Sequence, residues 1–318
     1  MKNTRRAVID IGTNSVKLLV AEVAGQDVRP LWEDSRQTRL GQGFYDTHRL
    51  QADPVEKTAQ VVARFAETAR EWKAAHVRVI ATSAARDAKN PEDLITAVER
   101  ESGLRMEIIS GDREADWTFQ GVTTDHELAK QPLLILDAGG GSTEFILGHG
   151  THKPFRRSFP IGTVRLLEKL PHSDPPKPEE LDACRAWLWH MLDHKVRPVL
   201  EPALRREARF DPVKRQVRLV GTGGTTGILA RMEASLEAYD RERIEATRLS
   251  LARINAHVRR LWSLPLEERR RIVGLPKKRA DVILTGVLIY ESVMELFGFD
   301  ELRVTTRGLR FAAVMDGD

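Results

Sequence analysis

At 318 residues the chain is long enough to bury two hydrophobic cores, and its composition, 41% hydrophobic and 30% charged, fits a soluble globular protein. No apolar run approaches the ~20 residues that cross a bilayer, so no membrane partner is expected. The net charge of +4 suits an anionic ligand without requiring one, and a single cysteine, Cys184, rules out an internal disulfide or a cysteine metal cluster and points to a cytoplasmic location.

The first residues, MKNTRR, begin like a secretory leader, but Asp10 interrupts the apolar segment that follows, so a leader is not expected. Residues 6–11 and 16–23 read as strands and residues 28–39 as a third. Residues 39–43, RLGQG, form a glycine turn that carries one cation, Arg39. Apolar residues at helical spacing (Val55, Ala59, Val62, Phe65, Ala69) predict a helix over 54–72. A buried strand over 77–81 runs into Thr82, Ser83 and Arg86. A helix with proline near its start covers 91–101, a strand covers 107–110 and is ended by Gly111, and a helix covers 112–122.

A polar linker over 123–132 then ends in proline, and the pattern restarts. Residues 133–136 are a buried-strand run closed by Asp137; Gly139, Gly140 and Gly141 turn the backbone tightly; Ser142 and Thr143 add hydroxyls; a second strand follows to Leu147. The same arrangement occupies residues 7–20, where Asp10, Gly12 and Ser15 match Asp137, Gly139 and Ser142. A duplicated strand, Asp-x-Gly-x-x-Ser, strand unit indicates two related domains, each offering a polar turn to a common cleft. Strand 153–160, a helix from Gly162, a proline-rich loop over 171–178 and a long helix over 179–200 come next. Strand 216–221 leads into a third glycine turn, 221–227, then helices over 228–237, 249–261 and 281–297, a strand over 302–305 and a last helix over 308–314.

With these motifs in order (DIGTNS, ATSAARDAKN, SGDREA, DAGGGSTE, GTGGTTG, GLPKKRADVI, RGLR), nearly the whole chain resembles the exopolyphosphatase/guanosine pentaphosphatase family. The resemblance implies an α/β protein of the actin-like ATPase superfamily, with two ribonuclease-H-like domains around a central cleft. The first would span residues 1–124, the second 125–305, and the last helix, about 306–318, would pack back on the first.

Taken alone, Glu114 reads as a surface glutamate near a helix start, where the helix dipole favours acids. The resemblance makes it the general base that takes a proton from attacking water. Backbone N–H groups around Gly12, Thr13, Asn14 and Ser15, and around Gly139, Gly140, Gly141 and Ser142, are expected to bind phosphate, together with Arg86 and, more weakly, Arg39. From the residues alone, Arg86 could equally cap a helix or pair with Asp87. Asp137 and Glu144 flank the second glycine turn and are the expected ligands of Mg²⁺ or another divalent cation, although Asp137 could instead only tie down the turn, as Asp10 could in the first copy. Gly221, Thr222, Gly223 and Gly224 match the loop that holds a nucleotide in actin-like ATPases, and would hold polyphosphate or guanosine nucleotide here; a plain strand-to-helix turn is the alternative. His149 and His152 bracket a hairpin and are expected at the surface.

Basic clusters at 205–206, 214–215, 259–260, 269–271 and 277–279 read singly as solvated faces and together as a track for a polyanion. No basic segment is interleaved with aromatics, so no specific nucleic-acid partner is expected. Two departures stand out: Arg113 replaces an acid often found in the family, and the ending reads GLRFA where GLREG is usual. By the same resemblance, long members continue into a helical C-terminal domain where this sequence stops, so processive action on long polyphosphate is not expected. The expected activity is metal-dependent release of orthophosphate from polyphosphate by a homodimer. Hydrolysis of pppGpp to ppGpp and an actin-like phosphotransfer are the alternatives.

Overall fold

The computed structural model describes residues 4–150, 152–210 and 216–316. These form two compact units, one of residues up to Asp125 together with the segment from Arg307, the other His126–Thr306.

The first unit is built on a five-stranded sheet ordered β3-β2-β1-β4-β5. Its strands are β1 (Thr4–Ile11), β2 (Ser15–Ala24), β3 (Asp27–Gln37), β4 (His76–Ala81) and β5 (Met106–Ile108). β1, β2 and β3 form an antiparallel meander, and β4 and β5 add on in parallel beyond β1. Alternate residues of each strand face opposite sides. Ile9, Ile11, Leu18 and Val20 pack against α1 (Ala52–Glu71) and α3 (Pro91–Ser102). Val8, Leu19, Ala21 and Ile80 face the other way, onto Trp117 of α4 (Gly111–Val122) and Phe311 of α14 (Leu309–Met315). A short α2 (Ser83–Arg86) follows β4 directly.

The second unit has a six-stranded sheet ordered β10-β11-β9-β6-β7-β8. Its strands are β6 (Leu133–Ala138), β7 (Thr143–His149), β8 (His152–Phe159), β9 (Arg218–Thr222), β10 (Arg248–Ser250) and β11 (Glu301–Val304). The helices are α5 (His126–Ala129), α6 (Thr163–Lys169), α7 (Pro178–Met191), α8 (Arg197–Phe210), α9 (Gly223–Glu233), α10 (Arg241–Ala246), α11 (Leu251–Trp262), α12 (Leu266–Arg269) and α13 (Ile283–Phe297). α13 is buried all round, from Ile283 through Met294, and fills the core beside the sheet.

Several boundaries differ from the sequence reading for identifiable reasons. β3 ends at Gln37, not Arg39, because the Thr38 and Arg39 amides both donate to the Asn14 carbonyl and leave the ladder. β5 ends at Ile108, because Ser110 is a helix N-cap whose Oγ accepts from the Arg113 amide; Gly111 therefore opens α4 instead of ending a strand. The polar linker contains α5. The helix placed over 179–200 continues through a π-helical turn, Leu192–Val196, to Phe210. Its core-facing stripe explains this: Leu192, Val196, Leu200, Ala203 and Glu207 are all buried at steps of three or four, and carry the helix past Pro202. The helix placed over 228–237 starts at Gly223 and ends at Glu233, so most of the third glycine turn is helix. α10, β10 and α12 went unread. No described helix is long and apolar enough to cross a membrane.

Candidate active site

The two glycine turns are closed in the same way. In the first unit the Gly12 amide donates to the Ser15 carbonyl at 3.0 Å; in the second the Gly139 amide donates to the Ser142 carbonyl at 2.9 Å. Those two amides are used by the turns themselves and do not point at a phosphate as expected; the amides of Thr13, Asn14, Gly140 and Gly141 lie outside those bonds. Each turn is then braced through its carbonyls. The Gly41 amide donates to Thr13, and Thr38 and Arg39 donate to Asn14. In the second unit Thr163 donates to Gly139, and Val164 and Arg165 donate to Gly140. Gly162 lies so close to the Gly140–Gly141 peptide that a methyl group there would overlap it. Asn14 is buried, its Oδ1 accepts from Gln37 Nε2 at 3.0 Å, and its Nδ2 is a buried donor with no hydrogen-bond partner among the described residues. Such a donor is stabilised when a ligand oxygen meets it.

Glu114 lies in the first turn of α4, with its residue only 9% exposed. Arg86, at the end of α2, reaches it: Nη1 is 2.9 Å from Glu114 Oε2 and 3.1 Å from the Ile109 carbonyl oxygen. Asp87 is farther from Arg86, at 3.9 Å. Arg113 turns away from Glu114. Its guanidinium pairs with Glu107 and Asp316 and lies 4.3 Å over the Trp117 ring. Asp10 is buried on β1 beside its cross-strand neighbour Lys17. Burial pushes its carboxyl above the usual range, against the opposing pull of Lys17 and Arg310. Arg310 comes from α14, where it also donates to the Leu18 carbonyl and pairs with Glu33. The unusual Phe311 and Ala312 of the terminal motif are buried core. Arg39 is exposed, with a left-handed backbone (φ 57°) that turns the chain toward Gly41.

In the second unit Asp137 and Glu144 are direct cross-strand partners, on β6 and β7. Glu144 is buried and its Oε1 accepts from Ser142 Oγ at 2.8 Å and Ser158 Oγ at 2.7 Å, so the Ser142 hydroxyl proton is given to this carboxylate. Asp137 lies against Gly223, where φ is 85° and a methyl group would overlap its Oδ1. The Tyr290 phenol donates to the Leu136 carbonyl, and burial, then the nearby Asp137 charge, raise its pKa well above the usual range. Two cross-strand carboxylates, with no group of three or more His, Cys, Asp or Glu among the described residues, fit a hard dication that takes its remaining ligands from phosphate oxygens and water.

Two cations near these turns escaped the sequence reading. Arg165 Nε donates to the Gly141 carbonyl at 2.8 Å. Arg279 was read as part of a solvated basic face, yet its guanidinium lies against Gly224, next to the glycine that accommodates Asp137. Arg269 is buried, at 1% exposure, with Asp174 3.7 Å away. The late basic residues therefore do not share one face, and residues 214–215 lie outside the described residues. His149 and His152 lie at the surface as expected, with side chains 41% and 63% exposed. Both turn toward the buried carboxylate of Glu207, at 2.5 and 3.7 Å.

The family model for the Ppx/GppA phosphatase family matches residues 19–316. Exopolyphosphatase 2 of Mycobacterium tuberculosis is 34% identical over 320 residues, covering 96% of both chains. The crystal structure of the Aquifex aeolicus Ppx/GppA family member is similar with a TM-score of 0.76 and 32% identity, covering 99% of this chain and 97% of that one. An exopolyphosphatase from Cytophaga hutchinsonii is similar with a TM-score of 0.83 and 27% identity, covering 97% of this chain and 96% of that one. The fold is α/β with two sheets, and it is shared by these Ppx/GppA structures.

Proposed function

The chain belongs to the Ppx/GppA phosphatase family, and on that premise we propose that it releases orthophosphate from the ends of inorganic polyphosphate. As a family member it is a hydrolase acting on phosphoric anhydrides. The observation that carries the finer reading is the Arg86–Glu114 pair. A nearly buried carboxylate, fixed at a helix N-terminus by a guanidinium, is preorganised to accept a proton without rearranging.

In this reading a water oxygen bonds to the terminal phosphorus while the bridging P–O bond breaks. The water proton passes to Glu114, and the shortened chain leaves as an oxyanion. In the first unit the turn residues Thr13 and Asn14 contact phosphate, with the Asn14 Nδ2 donor satisfied by one of its oxygens; in the second unit the Gly140 and Gly141 amides are the corresponding donors. Arg86 orients Glu114 and adds positive charge. Asp137 and Glu144 would hold Mg²⁺, which would supply positive charge to offset that of the phosphate oxygens. Arg279 and the 221–224 junction bound the space beside Asp137.

The test is orthophosphate release from long polyphosphate, tripolyphosphate and pppGpp, run in parallel with Mg²⁺ and with a chelator. Metal-dependent release from polyphosphate is the expected result. Release confined to pppGpp would transfer the function to guanosine nucleotides, and transfer of phosphate to an acceptor without free orthophosphate would replace hydrolysis by phosphotransfer.

A further inference from the structure

Tyr290 is fully buried in the middle of α13, a helix buried on every side. For packing alone a phenylalanine would fill the same space, so the hydroxyl has to be explained by the polar atoms it meets. Those atoms lie where two parallel strands end together. The phenol oxygen is 3.2 Å from the Leu136 carbonyl oxygen on β6 and 3.4 Å from the Thr222 carbonyl oxygen on β9. The Ala138 amide also hydrogen-bonds it, so one hydroxyl meets the chain both before and after Asp137.

The same two strand ends set the place of the Asp137 carboxylate. Asp137 is the ladder partner of Thr222, and its side chain lies against Gly223, the next residue. Gly221 leaves room for the phenol ring: a methyl group there would come within 3.2 Å of Tyr290 Cε1. Two threonines of α9 add to the junction. Thr226 donates to the Thr222 carbonyl at 2.6 Å, and Thr225 donates to the Ala138 carbonyl at 3.3 Å. A buried tyrosine can serve only to anchor a helix to a sheet. That role would be met anywhere along the strands. Here the hydroxyl sits at their C-terminal ends, where open α/β sheets bind ligands, and on the peptides that flank a carboxylate.

We propose that Tyr290 is a positioning residue for Asp137. It fixes the main chain on either side of Asp137 to the end of β9, and so holds the carboxylate beside Glu144 in place for a divalent cation. The inference rests on the cation site proposed above and adds the group that supports it from the core.

The experiment measures binding of Mn²⁺ alone to the full chain, with no substrate present, from the EPR signal of the free ion. Wild type is compared with Tyr290→Phe, Asp137→Asn and Trp262→Phe, and thermal unfolding follows the stability of each. Tyr290→Phe removes one oxygen and keeps the ring in place. Trp262→Phe removes a different buried hydrogen bond to α13, from the indole nitrogen to the Leu284 carbonyl at 3.2 Å, and reports what lost stability does by itself. The expected result is a dissociation constant raised about fivefold or more in Tyr290→Phe, since groups that orient metal ligands commonly change affinity by about tenfold or more. In Trp262→Phe it should stay within twofold of wild type. With Mg²⁺, Tyr290→Phe should need more of the ion for half-maximal phosphate release, while kcat at saturating Mg²⁺ stays within twofold. Mn²⁺ affinity unchanged in Tyr290→Phe, or raised equally in Trp262→Phe, would overturn the proposal and leave the cation site standing. Equal Mn²⁺ binding by wild type and Asp137→Asn would remove the cation site itself, and the proposal with it.

Discussion

One guanidinium nitrogen, Arg86 Nη1, holds both the Glu114 carboxylate, at 2.9 Å, and the Ile109 carbonyl, at 3.1 Å. It thereby ties the first turn of α4 to the chain segment that leaves β5. Glu114→Gln keeps an acceptor for Arg86 but cannot take a proton. The expected result is a kcat lower by about 10²–10⁴-fold, with a thermal midpoint close to wild type. Near-normal turnover in that variant would remove Glu114 from the role of base.

Arg113 occupies the position of a frequent family acid, so restoring the acid is an informative change. Its contacts are with Glu107, Asp316 and the Trp117 ring, and the side chain is 40% exposed. Exposed pairs of this kind contribute little to stability. Arg113→Glu is expected to lower the thermal midpoint by a few degrees, because it faces Glu107 and Asp316 with a like charge, and to leave kcat within twofold. A large kcat change in steady-state assays would place residue 113 in the reaction.

Gly223 and Gly227 lie four residues apart on α9 and should respond in opposite ways to the same substitution. A methyl group at Gly223 would overlap Asp137 Oδ1, and φ there is 85°. Gly227 has nothing within 4 Å of the position its methyl group would take. Gly223→Ala is expected to displace Asp137 and raise the Mg²⁺ concentration needed for half-maximal activity by tenfold or more. Gly227→Ala should leave that value unchanged and stabilise the helix by up to about 1 kcal/mol. Mg²⁺ titrations of activity and urea unfolding separate these outcomes.

The duplicated hairpin was readable from Asp10–Gly12–Ser15 and Asp137–Gly139–Ser142 because glycine spacing and strand hydrophobicity are local signals. That Asp137 and Glu144 flank the turn was readable too; that they are direct cross-strand partners comes from the structure. What was not readable depends on distant packing. Nothing near Arg279 in the chain indicates that it lies on Gly224, and nothing near His149 shows Glu207, 58 residues away. Arg86 could be read as pairing with Asp87 because Asp87 is adjacent, whereas its closer partner, Glu114, is 28 residues on. The helix beyond Leu200 was cut short because Pro202 is a strong local stop signal, and the buried stripe that overrides it is a tertiary effect.

Cys184 is 1% exposed on α7, and burial pushes its thiol up to about 12. The reactive thiolate is therefore nearly absent at neutral pH. Native protein treated with iodoacetamide at pH 8 should remain unmodified over hours, while urea-unfolded protein is alkylated within minutes, as read by mass spectrometry. Rapid native alkylation would mean that the α7 core opens far more readily than its packing implies.

Asp10 has the opposite relation between charge and stability from a paired surface acid. Its carboxyl pKa is raised in the folded chain above the 3.8 of an ordinary aspartate, first by burial, with Lys17 and Arg310 only partly offsetting this. Between 3.8 and the folded value, the native state keeps a proton that the unfolded chain has lost. Stability therefore falls as pH rises through that window, and the loss persists at neutral pH. Asp10→Asn removes the charge and should unfold at a higher temperature than wild type at pH 7. The advantage should vanish below about pH 3.8, where both proteins are neutral at this position. A variant that melts below wild type at pH 7, or whose advantage is the same at both pH values, would show that the buried charge is compensated. If the advantage is found, Asp10 is a carboxylate retained at a stability cost, as expected of a group kept for phosphate or cation chemistry beside the first glycine turn.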